Sequence, residues 1–379
     1  MLKDPVYIHR RNDWPSFRWN DAAIGTQLAA TRHAQGLLLG RMESLGFQLR
    51  QEADLTALTT ETVQSSAIEG EKLDARQVRS SLARRLGIEE AGATPATRAV
   101  EGVVDMMLDA TRKFQDPLTS ARLFGWHAAL FPTGRSGLRK IAVGRWRRPE
   151  MDPMQVVSGP SGRETVHFEA PDGARVPGEM EKFLAWFNAP PREDPVIRAA
   201  LAHFWFVTIH PFEDGNGRIA RAIADMALAR SDGRPERFYS MSAQIEAERK
   251  EYYAVLETCQ KGGLELTPWL EWFLGCLGRS LVRAEETLAT VLYKARTWQR
   301  IGTAPLNARQ RILINRLLDG FEGKLTSSKA GKLTKCSADT ALRDIAKLVE
   351  LGILAQNDSG GRSTSYRLAA ENTPPISPP

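Results

Sequence analysis

Between Ile209 and Ile223 the chain reads IHPFEDGNGRIARAI, and this stretch limits the fold more than any other. The helical pattern leading to Ile209 must stop there, because Pro211 has no N–H for the next helical hydrogen bond and its ring clashes with a continuing helix. Gly215 and Gly217 permit the tight turns through which the chain reverses. A second helical pattern starts within the same few residues. The chain is thus committed to two helices joined by a short loop carrying His210, Asp214, Asn216, Arg218 and Arg221. Outward-facing N–H groups at the start of the second helix form an anion nest backed by the positive end of the helix dipole. Arg218 and Arg221, three apart, lie on adjacent turns facing the same anion. Asp214 offers a hard oxygen for Mg²⁺, and His210 suits the role of general base toward an incoming hydroxyl. Gly-Asn-Gly by itself is an ordinary turn, but packing alone does not call for this whole set at this spacing.

The rest of the chain is read by what such a loop needs around it. At 379 residues it exceeds one ordinary core and divides into two or three packed units. Strand signals are few. Ile24, Leu28, Leu37, Leu38, Met42, Leu45 and Leu49 recur at helical spacing from Asp21 to Arg50, which predicts one long amphipathic helix. A second helix is expected from about Asp54 to Ser65, ending near SSAIEGE, where Gly70 breaks the pattern. Further helices are expected over Ala96 to Lys113, Thr119 to Phe131, Val176 to Asn188, Val196 to Ile209, Gly217 to Ser231, Ala247 to Gln260 and Pro268 to about Arg300. The exception is MQVVSGPSGRETVHFE, Met154 to Glu169, where two β-prone runs flank a Gly/Pro/Ser turn. An all-α domain with one inserted β-hairpin follows.

Beyond the linker TAPLN the pattern changes. ARQRILINRLLDGF, TSSKAGKLTK and SADTALRDIAKLVELGIL read as three helices, the last with a Ser N-cap, and LAQNDSGGRSTSYRL as two strands around a Gly-rich tip. This is the order of a winged helix-turn-helix. The expected organisation is an N-terminal helical region over 1–95, a central domain over 96–300, a winged-helix domain over 303–370 and a disordered Pro-rich tail over 371–379. Of the net charge of +6, residues 303–370 hold +5, from eleven Lys/Arg and six Asp/Glu. That excess makes DNA a candidate partner of the winged helix, with Arg343 and Lys347 on the third helix and Arg362 on the wing as contacts.

Cys259, Cys276 and Cys336 show no CxxC or Cys/His metal spacing, which argues against disulfides and structural zinc. The N-terminus MLKDPVYIHRRNDWPSF lacks an apolar run of signal-peptide length, and other apolar stretches are broken by charges. A cytoplasmic protein with no membrane partner is expected.

HPFEDGNGRIAR resembles, without a mismatch, the HPFx[D/E]GNGRxxR signature of the Fic family. The resemblance implies a helical Fic fold and transfer of AMP from ATP, with Mg²⁺, to a Tyr, Ser or Thr hydroxyl of a target protein. It implies that His210 deprotonates that hydroxyl, that Phe212 is buried and that Asp214 holds Mg²⁺. Gly215, Asn216, Gly217 and Arg218 would cradle the phosphates, and Arg221 would reach the γ-phosphate. The hairpin over 154–169 sits where the family carries its flap, an exposed strand that aligns the target segment by β-augmentation, with Ser158 and Gly159 counted among the nucleotide-binding positions. ERKEYYAVLETCQ resembles the helix whose paired tyrosines, here Tyr252 and Tyr253, line the adenine pocket. Gln260 stands where related enzymes can have Asn.

SSAIEGE resembles the family's inhibitory pattern [S/T]xxxE[G/N], with Ser65, Glu69 and Gly70 at its fixed positions. A Glu69 carboxylate beside Arg221 would neutralise the charge meant for the γ-phosphate. The function expected is therefore an autoinhibited protein adenylyltransferase that also modifies itself, and a homodimer is compatible with it. The same fold could move phosphocholine, UMP or phosphate, or remove AMP from a modified target, and a DNA-binding regulator with a Fic sensor domain is the reading from a different class.

Overall fold

The computed structural model describes residues 7–88, 94–149, 154–158, 165–318, 321, 323–357 and 364–369. The chain divides into two units, Met1–Glu285 and Glu286–Pro379. In the first, the helices are α1 (Asp21–Glu43), α2 (Phe47–Ile68), α3 (Ala75–Arg85), α4 (Arg98–Arg112) and α5 (Ser120–Leu130). A short antiparallel pair, β1 (Arg135–Ser136) and β2 (Arg139–Lys140), precedes the longer hairpin of β3 (Gln155–Ser158) and β4 (Thr165–Glu169). Then come α6 (Val176–Asn188), α7 (Pro195–Ile209), α8 (Asn216–Asp232), α9 (Met241–Ala247), α10 (Arg249–Gln260) and α11 (Thr267–Ile301), which runs on into the second unit. Among the described residues no helix is long and apolar enough to cross a membrane.

Side-chain caps fix many of the helix starts. Asn20 accepts from the Ala22 and Ala23 amides, Asp74 from Arg76, Thr97 from Val100 and Thr119 from Arg122, each satisfying a donor that the first turn leaves open. The break expected between the first two helices after Arg50 falls earlier, at 44–46, so α2 starts at Phe47. Ser44 turns its hydroxyl back to the Arg41 carbonyl at 2.7 Å, and Gly46 adopts an extended backbone that caps the start of α2. The apolar spacing continues through Leu45 and Leu49, so periodicity alone did not show the break. α3 is a helix the sequence reading passed over: only Val78 and Leu82 mark its inner face, amid arginines and serines. The β1–β2 pair was also missed. It makes a second hairpin where one was expected, and its two-residue strands carry no alternation to read.

The core centres on α7 and α8, which pack against each other. α7 is buried on all sides, with Ala199, Ala200, Ala202, Phe204 and Phe206 fully enclosed, as its unbroken apolar run requires. On α8 the small side chains of Ala220, Ala222 and Ala229 are likewise fully buried. α2 is held beside them by polar bonds as well as packing. Its buried Glu61 accepts from the Ser240 hydroxyl at 2.7 Å and the Ser242 amide at 2.9 Å at the start of α9, one turn before Ser65. The position of the end of α2 is thereby tied to the core.

The second unit contains α12 (Ala308–Leu318), α13 (Ser327–Thr334) and α14 (Ala338–Glu350), followed by the antiparallel pair β5 (Leu354–Gln356) and β6 (Tyr366–Leu368). Leu313, Ile314, Ala341, Ile345 and Leu348 form its own core. Ser337 caps α14 through the Thr340 amide, as the sequence predicts. Arg362 and the tail over 371–379 lie outside the described residues.

Candidate active site

α7 ends on His210, which takes the left-handed conformation, φ 52° and ψ 58°. A non-glycine residue adopts that conformation at a cost and needs its surroundings to hold it. Here the His210 amide donates to the Phe206 carbonyl at 3.1 Å, while Arg147 Nε donates to the His210 carbonyl at 2.9 Å. The imidazole Nδ1 stands 3.3 Å from the Val207 carbonyl. A carbonyl can only accept, so Nδ1 carries the proton and Nε2 keeps its lone pair. Burial lowers the pKa of the ring to about 4, with the nearby Arg147 acting in the same direction. His210 is therefore neutral and basic at Nε2 at physiological pH.

The loop after His210 is braced from within. Asn216 accepts from the Phe212 amide and donates to the Phe212 carbonyl, both at 2.9 Å, so its side chain shapes the loop. Phe212 is buried and stacks on His127 at 4.2 Å between ring centres. His127 in α5 was not singled out from the sequence. Its Nδ1 accepts from the Gly144 amide at 3.2 Å, which leaves Nε2–H to donate to the Asp214 carbonyl at 3.2 Å. Burial pushes this imidazole down to about 4, so it stays a neutral strut. The Asp214 carboxylate accepts from the Gly215 amide at Oδ1 and from the Ser136 hydroxyl of β1 at Oδ2. Gly215, at φ 80°, caps α8 with no side-chain hydrogen bond, so the cap itself leaves the first-turn amides of α8 open.

The sequence-predicted inhibitory residues meet this loop. Arg221 is buried; its Nη2 donates to Glu69 Oε1 at 2.9 Å and to the Ser65 carbonyl at 2.7 Å, and its Nε donates to the Ser65 hydroxyl at 2.9 Å. Burial opposes the guanidinium charge, but the Glu69 carboxylate together with Tyr252 and Tyr253 outweighs it and holds the pKa above the ordinary arginine value. Arg221 Nη1 has no partner among the described residues. Glu69 also lies against the start of α8, where a Cβ at position 217 would collide with Oε1. Only glycine at 217 lets the carboxylate come so close. Arg218 is buried beneath the Phe131 ring and is bonded to Glu71, a residue the sequence reading did not mark.

Glu69, His210 and Gly217 open onto a cavity of about 640 Å³ whose far wall is α10. Tyr252 and Tyr253, 5.0 Å apart between ring centres, and Gln260 line it, with Val156, Val157 and His167 of the hairpin on another side. Tyr252 is buried, its hydroxyl 2.9 Å from His203 Nε2, and Gln260 donates to Thr208 Oγ1 at 3.1 Å. His167 Nδ1 lies 2.7 Å from Glu257 Oε2 and joins β4 to α10 beside the cavity. Ser158 ends β3, and Gly159 lies outside the described residues.

Two helices around a loop thus bring together a neutral histidine, a helix N-terminus and two buried arginines, an arrangement whose chemistry suits an anion with a base beside it. Residues 117–228 match the model of the Fic/DOC family, and the chain carries a Fic/DOC domain over that range. Residues 7–88 match a domain of unknown function, DUF4172. The protein adenylyltransferase fic-1 of Caenorhabditis elegans is 42% identical over 88 residues, 23% of this chain and 16% of that protein. The protein adenylyltransferase Fic of Culex quinquefasciatus is 33% identical over 104 residues, 27% of this chain and 19% of that one. The matched segments thus span less than a fifth of these two relatives' length. In solved structures the fold is similar to a Fic family protein from Desulfovibrio desulfuricans G20, with TM-score 0.50 and 22% identity over 92% of this chain and 97% of that one. It is likewise similar to a Fic domain containing signaling protein from Bacteroides thetaiotaomicron, with TM-score 0.50 and 21% identity over 69% of this chain and 97% of that one.

Proposed function

We propose that this chain is a protein adenylyltransferase held in check by its own α2, taking AMP from ATP and placing it on Tyr, Ser or Thr hydroxyls of a target protein and of itself. The observation that carries the reading is that a neutral His210, the start of α8 at Gly217 and the Glu69 carboxylate that holds Arg221 meet at one tyrosine-lined cavity. The names of the similar proteins support the same chemistry. His210 Nε2 takes the proton of the target hydroxyl, the hydroxyl oxygen bonds to the α-phosphorus, and the bond from that phosphorus to the bridging oxygen breaks as pyrophosphate leaves. The α8 amides and Arg218 stabilise charge on the phosphate oxygens, and Arg221 holds the γ-phosphate once Glu69 withdraws. Tyr252 and Tyr253 flank the base, with Gln260 at the end of the pocket.

Asp214 is the residue that would hold Mg²⁺. One carboxylate at the mouth of an anion-binding loop is the donor set this ion takes when a polyphosphate and water supply the other ligands. When bound, the ion neutralises charge on the leaving pyrophosphate. The exposed β3–β4 edge near Val157 and Val166 aligns the target segment by strand addition. Incorporation of label from ATP, tested against UTP and CDP-choline, distinguishes this reading from transfer of another group, and release of AMP from a labelled target tests the reverse activity.

The second unit is proposed to be a winged helix, supported by its order of three helices and an antiparallel pair. Arg343 and Lys347 are exposed on α14, but Lys347 pairs with Glu350 at 2.8 Å and Leu342 and Val349 are exposed beside them. That face suits a protein partner better than a phosphate backbone, so a gel-shift titration should give a salt slope near zero; a slope of several phosphates would establish DNA contact.

A further inference from the structure

α2 ends in a Schellman turn. The Gly70 amide donates to the Ala67 carbonyl at 2.9 Å and the Glu71 amide to the Ser66 carbonyl at 3.0 Å, with Gly70 at φ 83°. A left-handed residue at that point favours glycine, and the reversal puts one glutamate on each side of it. Both turn toward the start of α8. Glu69 Oε1 takes Arg221 Nη2 at 2.9 Å, and Glu71 Oε2 takes Arg218 Nη1. The two guanidinium side chains are almost wholly enclosed, at 2% and 3% exposed. A buried cation without an anion is costly, so each arginine needs a partner in every populated state. In the folded chain both partners come from one three-residue segment, Glu69-Gly70-Glu71.

We propose that Glu71 is a second residue competing with the nucleotide: the pair of carboxylates stands in for the polyphosphate, Glu69 on Arg221 and Glu71 on Arg218, and Glu71 sets the affinity for the triphosphate. The inference rests on the nucleotide reading above. Two features separate the roles of the prongs. The Glu71 side chain is 49% exposed and can swing into water with little rearrangement, whereas Glu69 is 31% exposed and sits against Gly217. Arg218 keeps Nε unpartnered among the described residues, so its donor capacity exceeds what Glu71 uses. A nucleotide therefore displaces Glu71 by exchanging one anion for another on Arg218, and the outer prong acts on binding while the inner one acts on turnover.

The test is titration of the full chain with ATP, and with adenosine as the probe lacking phosphates, in the His210→Ala background so that no turnover intervenes. Glu71→Gln keeps the size of the side chain and removes its charge. It should tighten ATP about twofold to fivefold, the range for a half-exposed ion pair, and leave adenosine unchanged. Glu69→Gln with Glu71→Gln should bind ATP more tightly than Glu69→Gln alone by a similar factor. Equal ATP affinity in Glu71→Gln and its parent, or an equal gain for adenosine, would overturn the proposal. Because the readout is binding, its failure is distinct from failure of the transferase reading, which is tested by labelled AMP on the target.

Discussion

Arg221 is bonded to α2 at three points: Nη2 to Glu69 Oε1 at 2.9 Å and to the Ser65 carbonyl at 2.7 Å, and Nε to the Ser65 hydroxyl at 2.9 Å. Ser65 lies in the last turn of α2 and Glu69 is the residue that caps it, so the end of that helix supplies all three bonds. The serine bonds orient the guanidinium and only Glu69 neutralises it. Losing the carboxylate should thus free the charge without releasing the arginine.

His210→Ala should remove transfer while ATP binding survives, since Nε2 acts on the target hydroxyl. Loss of a general base costs on the order of a hundredfold to ten-thousandfold in rate. Single-turnover AMP transfer and ATP titration of the same preparation check both halves; undiminished transfer would take His210 out of the reaction.

Asp214→Asn should keep the loop's hydrogen bonds to Ser136 and Gly215 in part but weaken the ion site. The Mg²⁺ concentration for half-maximal transfer is expected to rise about tenfold or more, as for a lost carboxylate ligand. A Mg²⁺ activation curve that does not move would remove Asp214 from that role.

Acid should destabilise the domain through its histidines. Burial lowers His203 to about 3, and His127 and His210 to about 4, from an ordinary 6.5. Between those values and 6.5 the unfolded chain takes up protons that the folded chain refuses, so this stability is complete above about pH 6.5 and is lost as pH falls. Asp54, Asp225 and Asp232, which burial raises, act in the opposite sense, so the test is a difference. His203→Phe keeps the ring against Trp269 and removes the titrating group. Urea unfolding of the wild type should lose about 2 kcal/mol more than this variant between pH 7 and pH 5. Equal losses would show that His203 is not held neutral.

The central loop was legible because its chemistry is local: His210, Asp214, Gly215 and Arg221 lie within a dozen residues, and Pro211 and the glycines announce the break. The Ser65/Glu69 contact could be anticipated only because a second local pattern resembled a family motif. What was not legible is what tertiary packing brings in. His127, Ser136 and Arg147 brace the loop from α5 and the segment after it, and nothing in their own neighbourhoods marks them. Glu71 carried a signal in retrospect. A charged residue immediately after a helix-ending glycine is turned back by the Schellman geometry onto the same neighbour as the residue before it.

The measurement that bears most directly on the account is incorporation of labelled AMP at equal ATP by wild type, Glu69→Gly and Glu69→Gly with Arg221→Ala. A charge-assisted bond of this kind is worth roughly 1–3 kcal/mol, so Glu69→Gly should raise self-modification and target modification about tenfold to a hundredfold. The double variant should lose that gain, because the freed site would lack its γ-phosphate ligand. A folded Glu69→Gly protein no more active than wild type would contradict the claim that α2 restrains a transferase.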